Sequence, residues 1–499
     1  MQAYGFTKIA HAFLLILLAV GIVISIQAGG DFGFTYPVDD AYIHLAIAEQ
    51  FWAHGSFGIH PDSFCMSSSS PGYTILLALT GGWNSMPFWL PLALNTFAAL
   101  SVLSLILKQW KKSDQTDIPA TQKQSWRYII WAIIFIVLTP LGLLVLNGME
   151  HAWQLWANLW LLIVAGKSEG QVSLKKLGLA ATLSSLFRYE GLFLAGSVAF
   201  LFLVKKRYKE ALITFLGSIL PVCIIGLYSL SRGGSFLPLT LLGKGQAPWQ
   251  VGLATWLRHG MEVLYEHPFM LILLVAMLGV VYVVPKGPKA FQAAAVALCI
   301  LPQVWLAQVG GYRYEAYLIG LGLWIALPFI WKFVKQKESL AWVIAGVCLF
   351  PFMLRAGYFT ANHGAAVFDI AHQHRATAAF LNTHYPTASI ALNDIGAVAY
   401  ETDCRITDLN GITDPPMMKA KLAGTCTPAF VDSLSKARGV TIAALHASFV
   451  GDAIPPHWVK THAWELPHYF MTADPVLSWF AVDSTEAIKL KAYHAKASN

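Results

Sequence analysis

A chain of 499 residues that is 56% hydrophobic and only 12% charged is not a soluble globular protein, in which about a quarter of residues carry charge. A mean hydropathy of +0.55 and repeated long apolar runs predict a polytopic membrane protein. The formal net charge of +7 sits mostly on lysines and arginines at the ends of those runs. It is not a nucleic-acid footprint, and no nucleic-acid partner is expected.

Eleven spans are predicted, over 9–28, 86–107, 128–146, 150–166, 173–187, 190–204, 210–230, 268–284, 289–309, 314–334 and 339–356. Several fall short of the roughly 20 residues needed for a hydrocarbon core of about 30 Å. The first lacks a small-residue cleavage site and is expected to be retained. Basic residues crowd alternate connections: Lys108, Lys111, Lys112, Lys123 and Arg127; Lys167, Lys175 and Lys176; Lys205, Lys206, Arg207 and Lys209; Lys286 and Lys289; Lys332, Lys335 and Lys337. The positive-inside rule then puts the N-terminus in the cytoplasm and, with an odd number of spans, the C-terminal part outside.

The first outer loop, 29–85, opens on Val38-Asp39-Asp40-Ala41-Tyr42-Ile43-His44. Carboxylates beside a bilayer cost several kcal/mol unless paired, hydrated or used, which makes this acid pair a candidate for chemistry. Asp40 to His54 has apolar residues at helical spacing and is predicted as a helix on the membrane surface, ended by Gly55 and Gly58. Ser67 to Ser70 and Pro71 start a second helix too short to span. The second outer loop, 231–267, carries Gly234 to Pro238, Lys244 and a predicted surface helix from Trp249 to Tyr265.

Residues 1–356 thus form a membrane domain. From Tyr358 onward polar residues and histidines rise, and 357–499 reads as a soluble outer domain of α/β class. Within it a helix is predicted over Phe368–Tyr385, a strand over Ser389–Asn393, a short helix over Ile395–Tyr400 and a strand over Arg405–Leu409. Cys223, Cys299 and Cys348 fall in spans; Cys65, Cys404 and Cys426 fall outside, where a Cys404–Cys426 disulfide is the expected pair.

On this topology Asp39, Asp40, His44, Glu150, His151, Arg188, Glu190, Lys244, Arg313, Tyr314 and Glu315 all lie at outer ends. They predict one cavity at the outer membrane–water boundary. Arg188, Lys244 and Arg313 suit a phosphate, and a carboxylate suits a general base. Nucleotide sugars are not expected outside the cytoplasm, so a polyprenyl-phosphate sugar is the natural donor. Simpler readings stand beside these. Asp39-Asp40 can cap a helix, Arg188 with Glu190 and Arg313 with Glu315 can be structural ion pairs, and Asp394 and Asp408 can shape turns.

Val38-Asp39-Asp40-Ala41-Tyr42, His54-Gly55-Ser56-Phe57 and Ser70-Pro71-Gly72-Tyr73 resemble the first outer loop of the C-type (GT-C) membrane glycosyltransferases, most nearly the group similar to the mycobacterial terminal β-1,2-arabinofuranosyltransferase. Asn147-Gly148-Met149-Glu150, Arg188-Tyr189-Glu190-Gly191, Gly234 to Pro238 with Lys244, and Arg313-Tyr314 resemble further motifs of that group. So do Asn393-Asp394-Ile395-Gly396-Ala397, Tyr400 and Asp408-Leu409-Asn410-Gly411. Tyr189 departs from it, standing where the group has proline, as does Leu239 after Pro238, where a polar residue is common.

The resemblance implies a mainly α, GT-C-like fold in a bacterial plasma membrane and an inverting transfer of a sugar, arabinofuranose in that group, from a polyprenyl phosphate to an envelope glycan. It implies an Asp of the first outer loop as catalytic base, Asp39 or Asp40, with Asp39 favoured because Asp40 can cap the following helix, and binding roles for His44, Glu150, Arg188, Glu190, Lys244, Arg313 and Tyr314. Some C-type enzymes use a divalent metal, for which Asp39, Asp40 and Glu150 could supply oxygens. The rival readings are a lipid-linked oligosaccharide flippase and a non-catalytic glycan-binding scaffold.

Overall fold

The computed structural model describes residues 5–61, 64–81, 86–114, 126–244, 252–336, 338–472 and 474–497. Uninterrupted apolar runs form its helices. The chain enters through α1 (Gly5–Gly29), passes α2 (Asp40–His54) and α3 (Pro71–Gly81), and returns through α4 (Leu90–Asp114). Thr139 and Pro140 then separate α5 (Trp126–Leu138) from α6 (Leu141–Leu146), because a proline cannot donate the next bond of the helical ladder. The predicted span 128–146 is therefore two helices.

Next come α7 (His151–Ala165), α8 (Leu174–Phe187), α9 (Gly191–Val204), α10 (Tyr208–Ser231) and the short α11 (Leu239–Lys244). They are followed by α12 (Leu253–Glu266), α13 (Pro268–Val283), α14 (Pro288–Leu306), α15 (Ala316–Gln336) and α16 (Glu338–Ala361). Each predicted span coincides with a helix or, at 128–146, a helix pair. Six helices among the described residues are long and apolar enough to cross a membrane alone, and α12 with α13, bent by 91° where they meet, would make a seventh. The chain is thus a multi-pass membrane protein. The others run to 13–15 residues, and α7 is buried along most of its length, so it meets neighbouring helices more than lipid. The surface helix predicted over Trp249–Tyr265 is α12, with Trp249 itself outside the described residues. Leu253, Leu257, Met261 and Tyr265 lie exposed along one side of it, as an interfacial helix requires.

The C-terminal part begins with α17 (His363–Asp369), one π-helical turn (Ile370–Arg375) and α18 (Ala376–His384). A mixed sheet follows, with β1 (Ser389–Leu392), α19 (Gly396–Glu401), β2 (Arg405–Asp408), α20 (Pro415–Leu422), α21 (Pro428–Ala437), β3 (Ile442–His446), β4 (Val459–Glu465) and β5 (Val476–Ala481). The strand order is β2-β1-β3-β5-β4, with β2, β1 and β3 parallel and β5 and β4 antiparallel. From β1 the chain goes to β2 on one side and then crosses to β3 on the other. The point where strand order reverses lies between β1 and β3.

Two expectations are corrected. Helix α2 does not lie on a membrane surface: Ala41 through Ala48 are all buried. Ile43, Ala46 and Ile47 pack with Ile390, Leu392 and Trp479 of the sheet, while Ala41, Tyr42 and Leu45 pack with Tyr73 and Leu77 of α3. The helix is apolar on two sides because two partners cover it, one contributed some 350 residues later. The Cys404–Cys426 disulfide is also absent, as both thiols are free. Cys404 belongs to the cluster on one face of the sheet, where its thiol donates to the Tyr385 carbonyl at 3.2 Å; Cys426 packs with Val431 and Ala443 on the other face. The sheet lies between them.

Candidate active site

The two first-loop carboxylates, adjacent in sequence, serve different partners. Asp39 precedes α2 but makes no cap bond to it. Its Oδ2 accepts the Gly396 amide at 2.6 Å and its Oδ1 the Ala397 amide at 2.9 Å, the first N–H groups of α19. Such orphan donors favour an anion. Position 396 must be glycine, because a Cβ there would stand 2.2 Å from the Asp39 carbonyl oxygen. His374 Nδ1 lies 3.0 Å from Asp39 Oδ1 in an oblique approach, closer to an ion pair than to a hydrogen bond. Asp40 turns elsewhere: its Oδ2 is 3.0 Å from Arg313 Nη2.

Behind them lies a buried charged cluster. Arg188 donates through Nε and Nη2 to both oxygens of Glu190, at 3.0 and 2.7 Å, and through Nη1 to Glu150. The other Glu150 oxygen is 3.3 Å from His44 Nε2, and His44 Nδ1 meets Thr74 Oγ1 at 3.2 Å. The predicted Arg188–Glu190 ion pair is therefore formed. Arg313 and Glu315 instead part company: Glu315 accepts Arg355 Nε at 2.6 Å and the Gly310 amide at 2.8 Å. This fixes the loop that presents Arg313 and leaves that guanidinium for Asp40. The Tyr314 ring lies near both arginines, 5.5 Å from Arg188 and 5.1 Å from Arg313.

Two adjoining cavities, of about 290 and 300 Å³, open at this end of the bundle. The first is lined by Asp39, Asp40, His44, Ser67 to Ser69 and Arg313, and by His374, Asn393, Asp394 and Asn410 of the C-terminal domain. The second is walled by Leu192, Phe193, Leu237, Leu241 and Leu306, with Arg188, Tyr189, Glu190, Gln308 and Tyr314 among its polar groups. Asp40, Ser69, Met149 and Thr240 line both. Glu150 lines neither and stands behind Arg188. Lys244 ends α11; its side chain lies outside what the structure describes. In place of the one cavity expected, the structure distributes these residues over two adjoining ones, Asp39, His44 and Arg313 in the first, Arg188, Glu190 and Tyr314 in the second, and Asp40 in both.

Asp39, Asp40 and Glu150 do not form a metal site. Their oxygens are held apart by α19, Arg313 and Arg188, and no group of three His, Cys, Asp or Glu among the described residues could hold a metal ion.

In the C-terminal part the sequence reading named Asn393, Asp394 and Asn410 through the resemblance, but it missed His374, His446 and Gln373. Asp394 stands two residues beyond β1, and its Oδ2 is 3.0 Å from Nδ1 of His446, the last residue of β3. Asn393 Nδ2 donates to the same oxygen at 3.2 Å, and His446 Nε2 is 3.0 Å from Gln373 Oε1. Burial would raise the Asp394 carboxyl, but the His446 bond and the charge of His374 hold it below the ordinary carboxylate range. Burial likewise works against the His374 imidazolium, yet Asp39, with Asp394 and Asp369 adding to it, lifts that histidine to about 9. Asp408 shapes a turn as expected, accepting the Asn410, Gly411 and Thr413 amides. The available signal was position: polar residues at the carboxyl ends of parallel strands.

A helical membrane bundle with an α/β domain docked over a cavity at one end is a fold shared with solved membrane proteins. The particular likeness is to ArnT from Cupriavidus metallidurans, solved bound to undecaprenyl phosphate. It is similar over 95% of this chain and 99% of that one, with a TM-score of 0.53 at 10% identity. The Archaeoglobus fulgidus oligosaccharyltransferase in its apo form aligns over 95% of this chain and 74% of that one, with a TM-score of 0.46 at 10% identity. Residues 366–482 match a domain of unknown function (DUF8728), a stretch that includes Gln373, His374, Asn393, Asp394 and His446. No curated protein matches the sequence.

Proposed function

We propose that this chain is an integral-membrane glycosyltransferase carrying a sugar from a polyprenyl phosphate to an envelope glycan at the outer face of a bacterial plasma membrane. One observation carries the reading: Asp40 stands in the wall common to both cavities. The apolar-walled chamber suits a lipid-linked donor, a reading supported by the undecaprenyl phosphate bound to ArnT. The polar chamber suits a hydroxyl-bearing acceptor, and the excess of lysine and arginine on alternate connections favours an outward orientation for both. Arabinofuranose is the donor sugar that the sequence resemblance favours.

In this reading Asp40 is the general base and takes the acceptor hydroxyl's proton as that oxygen bonds to the anomeric carbon. The bond from the same carbon to the phosphate oxygen breaks on the opposite face, and its electron pair leaves with the phosphate, inverting the centre. Base catalysis of this kind contributes about 10²–10⁴-fold. Arg313, fixed by the Glu315–Arg355 pair, and Lys244 supply charge to the departing phosphate. Arg188 already serves two carboxylates, so it positions the Glu190 turn more than it neutralises substrate. Asp39 holds the C-terminal domain against the membrane half. His44, Glu150, Glu190 and Tyr314 act as framing residues for the two chambers.

The test is transfer by the purified full chain from a synthetic prenyl-phosphate arabinofuranose and related sugars, with the product linkage read by NMR. Asp40→Asn should lower kcat at least a hundredfold with the melting temperature unchanged. Failure of the wild type to consume any prenyl-phosphate sugar, or an Asp40→Asn enzyme within a few-fold of wild type, would reject the reading.

A further inference from the structure

We infer that the C-terminal domain carries its own saccharide site, built on Asp394, Asn393, His446 and Asn410, and that the glycan it takes is uncharged. The topology provides the first argument. In sheets with parallel strands, ligands bind outside the carboxyl ends of the strands where strand order reverses. Here that point lies between β1 and β3, and Asn393 and Asp394 follow β1 while His446 ends β3. Asn410 follows β2. Asn393, Asp394 and Asn410 all line the first cavity.

The second argument is preorganisation. Asn393 and His446 are each 1% exposed, and both engage Asp394 Oδ2. Gln373, equally buried, braces His446 from its other nitrogen. Three buried polar side chains thus fix one partly exposed carboxylate at a cavity wall. They hold Asp394, whereas Arg313 holds Asp40. A fixed carboxylate can accept from two neighbouring hydroxyls, and amides such as Asn410 both donate and accept; together they match a sugar's diols.

Charge supplies the third argument. Among its described lining residues the chamber sets the carboxylates of Asp39, Asp40 and Asp394 against the Arg313 guanidinium and the His374 imidazolium, an excess of one carboxylate. Arg313 and His374 are engaged by Asp40 and Asp39 while Asp40 stays ionised, so a uronate or phosphate on a glycan docked at Asp394 would meet like charge in a confined space. At about 290 Å³ the chamber is at the small end of ligand sites, which run from about 300 Å³, and fits the tip of a glycan.

The inference rests on the transferase reading only in calling this glycan the acceptor. Its test is equilibrium binding of the full chain, without donor, to neutral arabino-, galacto-, manno- and gluco-oligosaccharides. Each is paired with a counterpart bearing a uronate or a phosphate. At least one neutral oligosaccharide should bind tenfold or more tightly than its charged counterpart. Asp394→Asn and Asn410→Ala should each weaken that binding at least tenfold, and Asn410→Ala reports even if Asp394→Asn misfolds. Equal or tighter binding of the charged forms, no binding across the panel, or wild-type binding by both variants would overturn the inference. Asp394-dependent binding in a protein that consumes no prenyl-phosphate sugar would sink the transferase reading alone. Transfer with an unchanged acceptor KM in both variants would sink this one alone.

Discussion

Asp39 and Gly396 are joined across the seam between the membrane half and the C-terminal domain, the carboxylate Oδ2 accepting the glycine amide at 2.6 Å. Arg375 closes the same seam, donating through Nη1 to the Phe32 carbonyl at 2.9 Å and to Thr35 Oγ1 at 2.9 Å, and through Nε to Glu401 at 2.6 Å. The acid pair therefore divides its labour: one carboxylate builds the chamber and the next faces into it.

This division predicts opposite signatures for neighbouring substitutions. Gly396→Ala places a methyl 2.2 Å from the Asp39 carbonyl oxygen, and overpacking of that kind costs about 1–3 kcal/mol. Asp39→Asn should cost a similar amount through unmatched buried N–H groups. Both should lower the melting temperature and speed proteolysis of the 29–38 segment, with activity falling in step. Asp40→Asn should lose activity at constant stability, and calorimetry beside transfer assays separates the two patterns.

Arg188 should behave as a structural cation. With its side chain 4% exposed and bonded to Glu150 and Glu190, Arg188→Ala leaves two buried carboxylates facing each other. Removing one partner of a buried pair costs about 3–5 kcal/mol. Arg188→Lys cannot reproduce the two-pronged contact with Glu190 and should recover only part of the loss. Thermal unfolding of both variants in detergent measures this.

The seam should weaken in alkali. His374 rises to about 9 in the folded protein from an unperturbed value near 6.5, so the folded state binds the proton more tightly. Its contribution is fully present below about pH 6.5 and is lost as pH rises through about 9. Hydrogen exchange at the Gly396 and Ala397 amides should accelerate across that window. His374→Gln should flatten the response, and an unchanged pH profile in this variant would show that His374 does not control the seam.

The C-terminal cysteines should be thermodynamically silent. Cys404 and Cys426 lie on opposite faces of the sheet, so a reducing agent should leave the melting temperature unchanged. Mass spectrometry after alkylation under denaturing conditions should find both thiols modified.

The elements that local chemistry specifies were legible from the chain. The Asp40–His54 helix, its stop at Gly55, the Pro71 helix start and the first two strands with their intervening helix all follow from spacing and from Gly and Pro positions. So did the gathering of acids and arginines at one rim, because topology alone puts loop ends together. Partner choice was not legible. That Arg313 pairs with Asp40 and not with Glu315 depends on Arg355 reaching Glu315 from α16. The double-sided burial of α2, the roles of Asp394 and His446, and the sheet between two thiols likewise arise from contacts among residues distant in sequence, to which periodicity is blind.

The sandwiching of α2 between α3 and the C-terminal sheet bears on how this protein can be rearranged. A helix buried on both sides is shared property: severing the chain near Ala361 would strip apolar cover from both fragments, and neither should stay soluble or well folded alone. Chimaeras that exchange the C-terminal domain with that of a relative should assemble only if residues 30–60 travel with it. Recombination in such proteins would then be expected to respect a boundary that runs through the first loop as well as through the last membrane helix.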